Sequence, residues 1–168
     1  MSQALAARTA QRVQAAEFVL NFNDWAIDSV DGLKKTFGSA VAVADPAGTV
    51  PGLTAGTGIA FDAINLPRGA VIVGGELICE TAFVGIGAGA TVQVGVAGSA
   101  AALLASTDLD AMTAGQRAAL LLTSPLVANG GQNVRITTAG LTAGATAGKL
   151  RLRVQYTIDG RAEEVVPA

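Results

Sequence analysis

Residues 149–158 read Lys-Leu-Arg-Leu-Arg-Val-Gln-Tyr-Thr-Ile, with an apolar side chain at every second position from Leu150 to Ile158. Successive side chains of a β-strand point to opposite sheet faces. Leu150, Leu152, Val154, Tyr156 and Ile158 therefore belong to a core face, and Lys149, Arg151, Arg153 and Gln155 to a face that meets water or a partner. The period is two, not the 3.6 of a helix.

The same signal recurs along the chain. Glu17 to Phe22 alternates with Phe18, Leu20 and Phe22 on one side before Asn23-Asp24 breaks the run, and Asp31-Gly32 leads into a short strand, Leu33 to Phe37, that carries Lys34 and Lys35. Strands follow at 59–64 and 70–83, separated by Leu66-Pro67-Arg68-Gly69. Pro67 presets φ for a turn and Gly69 accepts a positive φ, so this turn suits a corner between two sheets. The pair Gly74-Gly75 inside the long strand predicts a bulge or bend. Thr91 to Val96 turns Val92, Val94 and Val96 inward, Asn133 to Thr138 does so with Val134 and Ile136, and Asn129-Gly130-Gly131 signals a tight turn. Residues 100–122 are rich in Leu without a clean period, and Thr113 to Leu122 is open to a helical turn or a strand.

Seven or eight short strands joined by Gly-rich connections, with no long helix between them, predict an all-β antiparallel sandwich or jelly roll. A small barrel fits the same pattern. Residues 1–16, rich in Ala, Gln and Arg, lack an apolar stripe wide enough to dock a helix and are expected to form an N-terminal arm. Residues 17–168 then make one domain, with a Pro- and Gly-rich loop at 44–58.

Composition narrows the function. The 168 residues are 51% hydrophobic, but Ala is the largest contributor, so a lean core is expected. A net charge of −2 and a pI near 5.0 argue against a nucleic-acid partner. The uncharged stretches around 81–107 and 136–148 are broken by Gly, Thr and Ser, so no membrane span is expected. Arg8 and Arg12 precede no compact apolar block, which makes a secretory signal improbable and cytosolic synthesis the default. A single cysteine, Cys79, excludes an internal disulfide; it shares strand parity with Val71, Val73, Gly75, Leu77, Thr81 and Phe83 and is expected to be a buried thiol.

The absence of histidine removes Ser-His-Asp and Cys-His nucleophiles, imidazole metal sites and the usual proton shuttle at neutral pH. Glu76 and Glu80 share a strand face, but at about 3.3 Å per residue they lie about 13 Å apart, too far for a glycosidase pair. Asp108 and Asp110 lack the further ligands of a calcium loop. Gly85-Ile-Gly-Ala-Gly-Ala90 loosely matches a dinucleotide fingerprint, yet a β-branched alternating strand follows it where a helix N-terminus is required. No catalytic residue, metal or cofactor is expected. The candidate contacts with a partner are Arg8 and Arg12 in the arm, Trp25 as an anchor, and the basic row Lys149, Arg151 and Arg153, with Arg135 on a possible neighbouring strand. Trp25 is equally compatible with packing at the end of the sandwich.

The strings Phe61-Asp-Ala-Ile-Asn-Leu-Pro-Arg-Gly-Ala-Val-Ile-Val-Gly-Gly75 and Tyr156-Thr-Ile-Asp-Gly-Arg-Ala-Glu-Glu-Val165 resemble small virion proteins of tailed bacteriophages, in particular head decoration, or cement, proteins. The resemblance covers roughly residues 59–165. It implies a non-enzymatic β-sandwich on the capsid exterior that bridges neighbouring major capsid protein subunits, made in the host cytoplasm and assembled as a homo-oligomer, dimer or trimer. The competing expectation is a tail or fibre module that binds host carbohydrate.

Overall fold

The computed structural model describes residues 13–29, 32, 34–38, 59–122, 126–128 and 133–158. Among these residues there are eleven strands and no helix. They are β1 (Gln14–Asn21), β2 (Trp25–Ile27), β3 (Lys34–Thr36), β4 (Ile59–Asn65), β5 (Ala70–Val84), β6 (Thr91–Val96), β7 (Ser99–Asp108), β8 (Arg117–Ala119), β9 (Leu126–Ala128), β10 (Asn133–Ala139) and β11 (Ala147–Ile158). One sheet runs β1-β11-β5-β8, with β9 also paired to β5; a second runs β4-β10-β6-β7; β2 and β3 form a separate ribbon. Every ladder among the described residues is antiparallel. The fold is a β-sandwich. The leucine-rich stretch that lacked a period contains β7 and β8, and the strand count exceeds the expected seven or eight because that stretch supplies the ten-residue β7 and the three-residue β2 and β9 carry too few residues to show a period.

The corner at 66–69 works as its residues require. The Ala70 N–H donates to the Pro67 carbonyl (3.1 Å), Gly69 takes φ +78°, and the chain passes from β4 in one sheet to β5 in the other. Leu66 tucks under the corner, 2% exposed.

Alternation in β11 holds through Leu150, Leu152 and Val154, all fully buried. Beyond them the ladder with β5 slips: Gln155 faces Gly74 but Tyr156 faces Ile72, leaving Val73 as the extra residue of a bulge. Gly75 (φ +153°) permits this, because a Cβ there would run into the Arg153 carbonyl and the Leu120 side chain. One expectation is corrected by the bulge. Ile72 points inward while Val73 is 46% exposed, so Val71 and Val73 do not share the core face of Leu77, Cys79 and Phe83. Strand β11 keeps its parity: Tyr156 lies opposite inward Ile72 and packs, half-buried, against the core, Ile158 lies half-buried opposite Ala70, and Thr157 between them is buried as well. Thr81 is exposed for a related reason: the ladder slips again between Lys149 and Leu150, leaving Glu80 as the extra residue.

The core between the sheets joins Leu77, Cys79, Leu150, Leu152 and Val154 to Phe61, Val92, Val94, Val134 and Ile136. It is carried by Leu, Ile, Val and Phe, with Ala70 and Ala90 among its few alanines, so it is fuller than the Ala-rich composition implied. Phe37, just after β3, packs on Phe61 and Phe83 with ring centroids 5.8 Å apart in each pair and ties the ribbon to both sheets. The first strand begins at Gln14, so residues expected at the end of the arm already pair with Tyr156, Gln155 and Val154. Residues 1–12 of the arm, the 44–58 loop and the Asn129-Gly130-Gly131 turn lie outside the described residues.

Candidate partner-binding surfaces

The outward face of the β1-β11-β5-β8 sheet carries the basic row, and the fold answers it with carboxylates. Glu17 on β1 lies opposite Arg153, and Glu76 on β5 lies opposite it from the other side. Arg117 of β8 grips Glu76 through both carboxylate oxygens (2.8 and 2.9 Å). Arg153 bridges Glu76 (3.4 Å) and Glu17 (2.6 Å), Arg151 bridges Glu17 (3.1 Å) and Glu80 (2.5 Å), and Lys149 closes the series on Glu80 (2.8 Å). Four cations and three carboxylates thus alternate across four strands. Hydrogen bonds from Arg153 hold the Glu17 carboxyl below its ordinary value, and Lys149 and then Arg151 do the same for Glu80. Ile78 lies between Arg151 and Arg117 in register and is 8% exposed.

The row is therefore paired within the molecule, which lowers the field it offers an acidic partner. Arg135 is not its neighbour. It lies on β10 in the other sheet and pairs with Asp62 (2.5 Å), whose carboxyl is held down by Arg135 and Asn133 against the opposing effect of burial.

The ribbon has the opposite character. Its inner side is anchored: Asp28 and Lys35 form an ion pair at 2.7 Å, 1% and 2% exposed, Asp28 bridges to Phe61, and the Ser29 N–H donates to the Ala60 carbonyl (2.8 Å). Its outer side shows Trp25 and Ile27, 60% and 53% exposed, on alternate positions of β2. Lys34 Nζ lies 3.9 Å from the centre of the Trp25 ring, a cation–π contact. Trp25 is thus a surface residue, and the expectation of packing at the sandwich end is set aside. Sequence reading missed Ile27 and the buried pair; the alternation of Trp25 with Ile27 was the available signal, weak in a strand of three residues.

The remaining sequence candidates are dispersed. Glu76 and Glu80 each engage arginines instead of one another, and Asp108 Oδ1 accepts the N–H groups of Asp110 and Ala111 in a local turn. Among the described residues no three potential ligands gather to hold a metal ion. The 85–90 connection leads into β6, not a helix. Cys79 is fully buried, and burial pushes its thiol pKa up. Arg8 and Arg12 lie outside the described residues.

Known proteins share this arrangement of two antiparallel sheets. The chain shares its fold with a phage capsid chain. That structure is the cyanophage Pam1 capsid asymmetric unit, which aligns over 93% of this chain and 94% of its own at a TM-score of 0.59 and 21% identity. A chain in the capsid of Ralstonia phage GP4 aligns over 94% of this chain and 90% of its own at a TM-score of 0.46 and 16% identity. No protein-family profile and no curated protein matches the sequence.

Proposed function

We propose that this protein is a structural component of a bacteriophage virion that decorates the capsid exterior and stabilises it by bridging neighbouring major capsid subunits. The observation that carries the proposal is the shared fold with a cyanophage Pam1 capsid chain, which extends over nearly the whole length of both chains. The chemistry agrees. A chain without histidine, whose carboxylates are scattered or bound to arginines, is built for contact and not for turnover.

Within this reading Trp25 and Ile27 are the contact surface on the folded body. They form an uncovered apolar pair on a ribbon whose anchored inner side reduces the ordering cost of binding. The same reading takes Arg8 and Arg12, which lie outside the described residues, as contacts with a second subunit. The experiment is decoration of purified capsids by the full chain, by Trp25→Ala and by a chain lacking residues 1–12, with occupancy read by cryo-EM. The proposal expects reduced occupancy in both variants. Failure of the unaltered chain to bind any capsid, or full occupancy by both variants, overturns it.

The exposure of Trp25 supports a second reading, a tail or fibre module that stacks a host sugar on the indole. Glycan-array binding abolished by Trp25→Ala would favour it over decoration.

A further inference from the structure

The edges of the sheets differ in a way that bears on self-association. Strand β7 makes two register shifts against β6, β8 and β9 are three residues each, and β4 has its outer side engaged by the Asp28 bridge and the Ser29 N–H. Strand β1 is eight residues long, pairs with β11 in unbroken register, and carries neither proline nor lysine. Natural sheets guard their edges with such residues, with bulges or with short strands, and β1 has none of these guards. Its single charge, Glu17, is turned toward Arg151 and Arg153.

The direction of its backbone groups follows from one bond. The Phe22 N–H donates to the Gly148 carbonyl (2.9 Å), continuing the β1–β11 register by one pair. In an antiparallel ladder hydrogen-bonded and non-bonded pairs alternate. The even-numbered residues of β1 therefore bond to β11, and Val13, Ala15, Glu17, Val19 and Asn21 direct their N–H and C=O groups outward. The Asn21 N–H is taken by Asp24 Oδ2 (2.7 Å), which ends the open edge. Among the described residues Val13, Ala15, Glu17 and Val19 remain without a strand partner on that side.

We propose that this edge is the seam of a two-fold dimer, with β1 pairing antiparallel to β1 of a second copy about an axis at Ala16. That register sets Val13 of each copy opposite Val19 of the other, and Ala15 opposite Glu17, so all four open positions are used and Asn21 is not needed. The two valines, 58% and 37% exposed in the monomer, become cross-strand apolar partners. Glu17 meets a small neutral residue and keeps its arginines. An axis one residue later, at Glu17, would set two glutamates face to face and require the occupied Asn21 N–H. The self-complementarity of the Ala16 register argues for a second copy as the occupant, since a two-fold contact needs one patch that matches itself.

The seam concerns the free protein and stands apart from the capsid reading, so failure of one leaves the other intact. A contact of this length lies at the small end of specific interfaces, so sedimentation equilibrium is run up to about 100 µM chain. The expected mass is twice the 16.7 kDa of the chain. Ala15→Pro removes only an outward N–H, leaves the bonds to β11 in place, and is expected to return the monomer mass with an unchanged circular-dichroism spectrum. If that variant fails to fold, Val19→Lys is read in its place. Ala16→Cys is expected to form a covalent dimer on oxidation, because non-hydrogen-bonded partners at the axis lie about 4.5 Å apart between Cα atoms. A monomer or trimer mass for the unaltered chain, a persistent dimer in the edge variants, or no crosslink at position 16 overturns the proposal.

Discussion

The charged outer face of the β1-β11-β5-β8 sheet and the small β2–β3 ribbon treat ionic groups in opposite ways. On the sheet, seven charges lie partly in water and satisfy one another, and the face they make is closed. On the ribbon, two charges are buried against each other and the apolar side chains stand outside. Ion pairs at a surface contribute little individually, whereas breaking a buried pair leaves an uncompensated charge in low dielectric. The difference teaches where this molecule keeps its strength and where it offers contact. The conspicuous basic row is paired within the molecule, and the short ribbon with little periodic signal leaves Trp25 and Ile27 exposed.

The largest expected effect tests the buried side of that contrast. Lys35→Met removes the counter-charge of buried Asp28 and should lower unfolding free energy by about 3–5 kcal/mol in urea titration; the double variant Asp28→Leu/Lys35→Met should recover most of the loss. If the single and double variants lose equally, the ribbon is held by something other than this pair. Next in size, Leu152→Ala removes a fully buried side chain beneath the ladder and should cost about 2–5 kcal/mol by the same measurement.

The ladder itself should respond weakly. Arg151→Ala is expected to lower the urea midpoint only slightly, by an amount that diminishes as salt is raised, because its partners are partly solvated. Its pH dependence has a definite sign. The fold holds Glu17 and Glu80 below the ordinary value of 4.5, so it favours their ionised forms. Their contribution is complete above that value and is lost as pH falls through the lowered ones, so urea midpoints should drop on acidification below about 4.5 and drop less in an Arg151→Ala/Arg153→Ala variant. A midpoint that rises on acidification in this window would contradict the pairing.

Trp25→Ala should have the smallest effect on stability, within about 0.5 kcal/mol apart from the loss of the Lys34 contact, while reducing capsid occupancy. A large loss of stability would show that Trp25 belongs to the fold and not to the contact surface.

Much of the sandwich could be read from residues alone because the strands that build its center are long and strictly alternating. β6, β10 and the first half of β11 place their apolar residues as periodicity requires. The corner at Pro67 and Gly69 was legible for the same reason, since each residue has a narrow set of backbone conformations. Parity failed at Val71 and Val73 because the bulge inserts an extra residue into β5. A pair of glycines announces a bulge without saying which neighbouring residue it expels. The candidate site was less legible: Trp25 and the basic row were visible as residues, but their roles depend on what faces them across strands.

The sequence alone determined that this chain forms layered antiparallel sheets and lacks imidazole chemistry, since two-residue alternation and composition are properties of residues and their immediate neighbours. The tertiary structure decided that Glu17, Glu76 and Glu80 neutralise the basic row, that Asp28 and Lys35 meet in the interior, and that Trp25 with Ile27 remains outside. Glu17 lies 136 positions from Arg153. Contacts across such separations are set by sheet register and by the slip at Gly74-Gly75, which no local reading of residue types contains.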